Sequence, residues 1–432
     1  MRFLYLAISY LLAPLVLVFL IWRGVRNPAY WDRFAERFGY GATSLPRSIW
    51  VHAVSVGEVQ AAAALIRALQ SRYPDLPVAL TTTTPTGSDR AKRLFGDTVH
   101  HSYLPIDLPG PVQRFFDRVQ PCLAIILETE LWPTLYHECG RRQVPLVLAS
   151  ARVSQGSVAR YRRMVTLFRD ALSHGIVIAA QSEADAERFR SIGASPERTH
   201  VTGNIKFDFE IPGNLVEQGR QLRRNHAPER PVWIAASTHQ GEEDIMLDVL
   251  TDLKRRVGDN LLILVPRHPE RFLPVADMLR RRSVDFITRS SGKHCAAETE
   301  VFLLDTLGEL QNFYAASDVA FVGGSLVPIG GHNLLEPAAL GLPVITGPHN
   351  FNAEEIADMF VSVGAATVVH DAAELTTELA RFLQDAELRA RVGAAGRRTV
   401  EENRGALLRL LALVDPLILE PRADSMFPQA EA

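Results

Sequence analysis

Cysteine is scarce. Cys122, Cys139 and Cys295 are the three in 432 residues; they lie far apart and form no CxxC pair. That excludes a disulfide framework and a thiolate metal site, and the three are read as reduced, mostly buried thiols. An excess of one charge is missing too. Forty-six basic against 49 acidic side chains leave a formal net charge of −3, which offers no footing for a nucleic-acid polymer. No GxGxxG is followed by an acid about twenty residues on, so a dinucleotide fold is unsupported. GxxxxGK[ST], HExxH and GxSxG are absent as well, against a P-loop ATPase, a zincin and an α/β-hydrolase. Without a DxD pair, a metal-bridged nucleotide-sugar site is not expected. Arginine, lysine and helix dipoles would then have to stabilise charge.

What is present begins with one long apolar run. From Phe3 to Trp22, "FLYLAISYLLAPLVLVFLIW", no residue carries a formal charge. As a helix rising about 1.5 Å per residue, it matches a hydrocarbon core of ~30 Å. It has no small-residue cleavage site, so it reads as an anchor over residues 1–22 rather than a signal peptide. Arg23, Arg26, Arg33 and Arg37 outweigh Arg2, which places the body on the cytoplasmic side.

The rest is ordinary globular composition, 47% hydrophobic and 22% charged, and too long for one core. Short apolar runs alternate with helical patterns, the mark of parallel α/β sheets. Strands are expected at Ile49–Val54, Pro77–Thr81, Leu123–Leu127, Pro145–Ala149 and Gly175–Ala180, with a helix at Val59–Ser71. A second series covers Val232–Ala236, Leu261–Val265, Val284–Thr288, Val301–Leu304, Val319–Val322 and Val344–Thr346. Between them "FDFEIPGNLVEQGRQLRRNHAPER" is polar and punctuated by proline, and reads as a linker. The expected layout is an α/β chain of two doubly wound, Rossmann-like domains, 23–212 and 231–421, facing across a cleft. A linker at 213–230 joins them and a polar tail, 422–432, follows. Ligands bind beyond the carboxyl ends of strands in such sheets, so the residues just after each strand carry the information.

"VHAVSVGEVQAA" closes the first strand and places Glu58 in the first helical turn. It reads either as a cap favoured by the helix dipole or as a general base at the lip of the cleft. "LAIILETELWP" sets Glu128 and Glu130 after a buried strand, suited to a sugar or a cation rather than to phosphate. "ARVSQGSVARYRRM" holds Arg152, Arg160, Arg162 and Arg163 without an acid, either a solvated face or a surface for phosphorylated lipid. "VTGNIKFD" presents Lys206, either a loop lysine or a point charge for a leaving phosphate.

In the second half, "ILVPRHPERF" ends a strand on Pro266, Arg267 and His268, and "LLDTLGEL" turns at Leu307, Gly308 and Glu309. Then "FVGGSLVPIGGHNLLEPAALGLPVITGPH" packs glycines, His332, Asn333, Leu334, Leu335 and Glu336 between two apolar strands. Glycine-rich turns running into helix amino termini suit phosphate, and a helix opening near Asn333 would aim that end at the ligand, with Glu336 on ribose hydroxyls.

Taken together, "SVGEVQAA", "ETELWP", "GNIKFD", "PRHPERF" and "GGSLVPIGGHNLLEPAALGLPVITGPHNFN" resemble one family, the 3-deoxy-D-manno-octulosonic acid (Kdo) transferases of lipopolysaccharide biosynthesis. The motifs run in the family's order from about Trp31 to Glu354, behind an amino-terminal anchor. "LASAR" departs from the pattern, where an asparagine is expected before the Ala-Arg pair ending at Arg152. The resemblance implies a GT-B fold with an amino-terminal acceptor domain and a carboxyl-terminal CMP-Kdo domain. It implies inverting transfer of Kdo from CMP-Kdo to lipid IVA at the inner membrane, with no cofactor or metal. By the same resemblance Glu58 is the base, and Glu128 and Lys206 stabilise the transition state. CMP contacts fall on Pro266, Arg267, His268, Leu307, Gly308, Glu309 and Asn333 to Glu336, and the last helical segment crosses back onto the first domain. The alternatives are another nucleotide-sugar enzyme, such as a UDP-sugar transferase or a non-hydrolysing epimerase, and an anchored binding protein with a degenerate site.

Overall fold

The computed structural model describes residues 2–128, 130–153, 156–158 and 175–419. The chain divides into two compact units, Met1–Phe209 with Asn403–Ala432, and Glu210–Glu402. Each is built on one seven-stranded sheet.

In the first unit β1 (Ser48–His52), β2 (Val78–Thr82), β3 (His100–Tyr103), β4 (Pro121–Leu127), β5 (Leu146–Ala151), β6 (Val177–Ala180) and β7 (Thr199–Val201) pair in the order β3-β2-β1-β4-β5-β6-β7. Every pairing is parallel. Parallel strands need crossovers that cover both faces, so both faces are apolar. Ile49 and Val51 point into one buried cluster and Trp50 into the other. The chain leaves β1 toward β2 on one side and returns through β4 on the other, which makes the gap beyond β1 and β4 the switch point.

The second unit repeats the scheme with β8 (Val232–Thr238), β9 (Leu261–Pro266), β10 (Phe286–Thr288), β11 (Val301–Leu303), β12 (Val319–Val322), β13 (Val344–Thr346) and β14 (Ala366–Val368). Its order is β10-β11-β9-β8-β12-β13-β14, again all parallel, with the switch point between β8 and β12.

Three strands escaped the sequence reading: β3, β7 and β14. All three lie at sheet edges. The residues expected as a linker carry instead a helix, Leu215–His226. Its polar composition hides a narrow apolar stripe: Leu215 is buried, Leu222 packs on the second core, and Gly219 lies where a Cβ would meet Ala315 at 2.4 Å. The segment is part of the second unit, which ends at Glu402 rather than near 421. The last helix, Ala406–Leu419, belongs to the first unit, burying Ala406, Leu410, Leu411 and Val414 against the core that holds β1. Asp208 fixes its start by accepting the Gly405 and Leu407 N–H groups, both at 2.6 Å.

The amino-terminal helix, Arg2–Arg26, is long and apolar enough to cross a membrane, and none of its apolar window is buried. Phe3, Leu11 and Leu15 stand more than half exposed, which fits a membrane anchor. Of the cysteines, Cys122 and Cys139 are buried as expected, whereas Cys295 is only half-buried.

Candidate active site

In the first unit the predicted residues converge on the switch point. Glu58 stands at the third position of the helix Val56–Arg72, directly after β1, and Ser55 caps that helix. The Ser55 hydroxyl accepts the Glu58 N–H at 3.4 Å and donates to Glu58 Oε1 at 3.0 Å, while Val54 N–H donates to Oε2 at 2.8 Å. That is a variant of the capping box in which the carboxylate reaches the N–H before the cap, so the structural reading of Glu58 holds geometrically. Its chemistry is not that of a surface cap. Burial, followed by the neighbouring Glu128 charge, pushes its carboxyl up to about 7, against the two hydrogen bonds that favour ionisation.

Glu128 follows β4 with a left-handed backbone, φ 56°, and its N–H donates to Ala149 O at 2.9 Å. A non-glycine residue held there costs about 1–2 kcal/mol, a local strain that β4 and β5 must hold in place. Its Oε1 meets Lys206 Nζ at 2.7 Å. Lys206 sits on a single 3-10 turn, Ile205–Phe207, and the turn is fixed from several sides. Asn204 Oδ1 accepts the Lys206 N–H at 3.0 Å, and Asn204 Nδ2 donates to Gln181 Oε1 at 3.0 Å. Ile205 N–H donates to Ser150 Oγ at 3.1 Å, and Asp208 ties the turn to the returning helix. Glu130 is a further carboxyl raised by burial beside this group. Glu58, Glu128 and Lys206 thus come from three separated stretches and share one electrostatic neighbourhood. Arg152, partly buried, follows β5; Arg160, Arg162 and Arg163 lie outside the described residues.

In the second unit Pro266 ends β9 buried, and the exposed Arg267 donates its N–H to Thr238 O at 2.9 Å, beside the end of β8. Exposed His268 follows. Leu307 is exposed, and the Glu309 carboxylate is held by the Arg289 guanidinium and by Thr306, which keep its pKa below the ordinary range. The helix expected to open near Asn333 starts two residues later and spans Leu335–Ala339. Asn333 lies outside it because its side chain bridges the turn, Oδ1 accepting Leu335 N–H at 3.0 Å and Nδ2 donating to Glu336 Oε1 at 3.1 Å. Leu334 and Leu335 are buried, so their backbone alone is available to a ligand.

The sequence reading missed the residue that shapes the glycine-rich loop. Fully buried Glu242, in the "STHQGEED" turn after β8, engages both oxygens with backbone. Oε2 accepts His239 N–H at 2.9 Å and Gly324 N–H at 2.8 Å; Oε1 accepts Ser325 N–H at 3.1 Å and Leu326 N–H at 3.0 Å. This explains the first glycine pair. A Cβ on Gly323 would meet Glu242 Oε2 and Ser237 O at 2.9 Å, and Gly324, at φ +68°, would meet the His332 ring at 2.9 Å. The available signal was the acid pair Glu242 and Glu243, one turn past the end of the apolar strand β8.

Two parallel doubly wound units, with carboxylates at one switch point and a glycine-rich turn at the other, are the GT-B architecture. The comparisons agree. Residues 32–209 match the family model described as 3-Deoxy-D-manno-octulosonic-acid transferase (kdotransferase), and residues 285–399 match Glycosyl transferases group 1. A 3-deoxy-D-manno-octulosonic acid transferase of Haemophilus influenzae is 45% identical over 96% of this chain and 99% of its own length. One from Bordetella pertussis is 36% identical over 93% and 95%. Among solved structures, a UDP-GlcNAc 2-epimerase from Neisseria meningitidis superposes with a TM-score of 0.54 at 14% identity, covering 85% of this chain and 100% of that one, a likeness of fold alone. The chain belongs to the Kdo transferase family, and it is an enzyme, a glycosyltransferase.

Proposed function

We propose that the protein transfers Kdo from CMP-Kdo to lipid IVA by a single inverting displacement that needs no metal, at the inner membrane with its body on the cytoplasmic side. The observation that carries this reading is the Glu58 carboxyl, poised at about 7 beside the Glu128–Lys206 ion pair. A general base works best when its pKa lies near the working pH, and such assistance contributes roughly 10²–10⁴-fold. Glu58 takes the proton from a sugar hydroxyl of the acceptor as that oxygen attacks the anomeric carbon. The bond from that carbon to the phosphate oxygen breaks and CMP leaves. Glu128 positions Lys206 through their ion pair, and Lys206 offsets the negative charge that develops. In the second unit Arg267 and His268, the 307–309 turn and Asn333 to Glu336 take the nucleotide. Arg152 and the basic stretch after it take the acceptor's phosphates, and the apolar helix Arg2–Arg26 keeps the enzyme at the surface where a lipid acceptor resides.

The test is product mass. Detergent-solubilised protein is incubated with lipid IVA and purified CMP-Kdo in the presence of a chelator. A gain of one or more Kdo units supports donor, acceptor and metal independence together and counts the transfers. No gain from folded protein refutes the assignment, and gain only without chelator refutes metal independence.

A further inference from the structure

Beyond β8, β9 and β12 three imidazoles gather at the second unit's switch point. His239 follows β8 and His332 closes the glycine-rich loop after β12; their rings are parallel within 7°, centroids 5.1 Å apart, with Nε2 to Nε2 at 2.8 Å. The His268 ring, beyond β9, meets His239 edge-on at 5.3 Å. At 2.8 Å the two nitrogens share one proton. They are too close to sit together on one tetrahedral ion, where bonds of about 2.0–2.1 Å set them ~3.3 Å apart. Among the described residues no three His, Cys, Asp or Glu side chains are arranged to hold a metal.

The charge around the pair selects an anion. Burial first, then the neighbouring Arg267, lowers His332 to about 3; burial lowers His239 as well, opposed by Glu242 and helped by His268 and Arg267. Glu242, the acid beside His239, already has both oxygens on four backbone N–H groups. At 2.8 Å one ring donates its N–H to the other ring's nitrogen, an acceptor that a negatively charged oxygen would replace to advantage. Glu242 holds both walls at once, since it binds the His239 backbone and the loop that carries His332, so the geometry is fixed before a ligand arrives.

Resting on the reading that this unit binds a CMP-linked sugar acid, we propose that His239 and His332 form the subsite that reads an anionic oxygen of the donor. Two groups of CMP-Kdo supply that chemistry, the phosphodiester and the sugar carboxylate. The carboxylate is what separates a sugar-acid donor from a nucleotide-linked neutral hexose.

The experiment compares full-length parent, His239→Ala, His239→Gln and His332→Gln proteins in detergent. It measures Kd for CMP and for CMP-Kdo by calorimetry, and donor KM and kcat. The expected result for His239→Ala is about a tenfold weaker CMP-Kdo complex, the loss of one hydrogen bond to a charged group, felt in KM more than in kcat. His239→Gln, whose amide N–H stands near the place of Nε2, recovers most of it, which repacking alone would not produce. Unchanged CMP affinity assigns the subsite to the carboxylate; equal weakening of CMP and CMP-Kdo assigns it to the phosphodiester. CMP-Kdo affinity within twofold of the parent in folded His239→Ala overturns the proposal. Should that variant not fold, the same result in His332→Gln overturns it. A parent protein that binds no CMP removes the donor reading, and the subsite with it.

Discussion

Replacing Glu58 by glutamine should make the enzyme slower and more stable at once. The side chain keeps its shape: the amide oxygen can take the place of Oε2 and accept the Val54 N–H, and the amide N–H can donate to the Ser55 hydroxyl, so the capping contacts survive. What disappears is an ionisation that the fold opposes. A carboxyl whose pKa rises from 4.5 to about 7 on folding binds its proton more tightly in the native state. Stability is therefore lost as pH climbs from about 4.5 to 7, and the cost is complete above 7. The upper bound is about 3 kcal/mol at ~1.4 kcal/mol per pH unit. Solvent reaching the half-buried group reduces it to about 1–2 kcal/mol. For units near 200 residues, that is a rise in Tm of about 3–6 °C at pH 8, shrinking to roughly a quarter at pH 5. Turnover by the glutamine variant should fall by about 10²–10⁴. In the parent, log kcat should climb with unit slope up to about pH 7 and then level, as the base loses its proton. The assays are differential scanning fluorimetry across pH and initial-rate Kdo transfer. An active variant refutes the base. An inactive one that melts below the parent at pH 8 refutes the electrostatic cost and leaves Glu58 a helix cap.

Glu128→Gln removes the neighbouring charge that, after burial, does most to raise Glu58, so the acid limb of the rate profile should move below 7 even as kcat falls; an unmoved midpoint contradicts the coupling. Glu242→Ala leaves four backbone N–H groups, two of them buried and two partly buried, without their acceptor and should cost about 3–5 kcal/mol, read as a Tm drop on the order of 10 °C with CMP binding lost. Deleting residues 1–26 removes a helix whose apolar window contributes nothing to the core, so the protein should move from the membrane to the soluble fraction and still bind CMP. Membrane retention of the truncated chain would assign the anchoring elsewhere.

How far the fold was legible follows from where apolar side chains go. Central parallel strands are covered on both faces and read as unbroken apolar runs; β4 is buried at all seven positions, and β12 and β13 begin and end at the predicted residues. The edge strands β3, β7 and β14 are short, partly exposed and written with residues such as His100 and His200, so no run marks them. The helix Leu215–His226 was hidden for a related reason. Only a narrow side is buried, and one of the residues that lets it pack closely, against Ala315 within the same unit, is Gly219, which sequence rules count against a helix.

The site shows a different limit, because local rules treat structural and catalytic roles as rivals. By sequence Glu58 reads as either a cap or a base, yet the capping hydrogen bonds are what fix its carboxylate at the end of β1, where burial and then Glu128 raise its pKa. The cap supplies the positioning and the surroundings supply the pKa, so the first is a condition of the second. Glu242 and His239 carry little local signal because their partners lie about eighty to ninety residues away, in the glycine-rich loop. The signal that would have found them is topological. In a doubly wound sheet the two strands flanking the switch point place their trailing residues together, so "STHQGEED" after the first strand of the unit has to be read against "GGSLVPIGGH" after the strand beside it. Applied to the first unit, the same rule pairs "SVGE" after β1 with "ETE" after β4, which are the carboxylates that meet there.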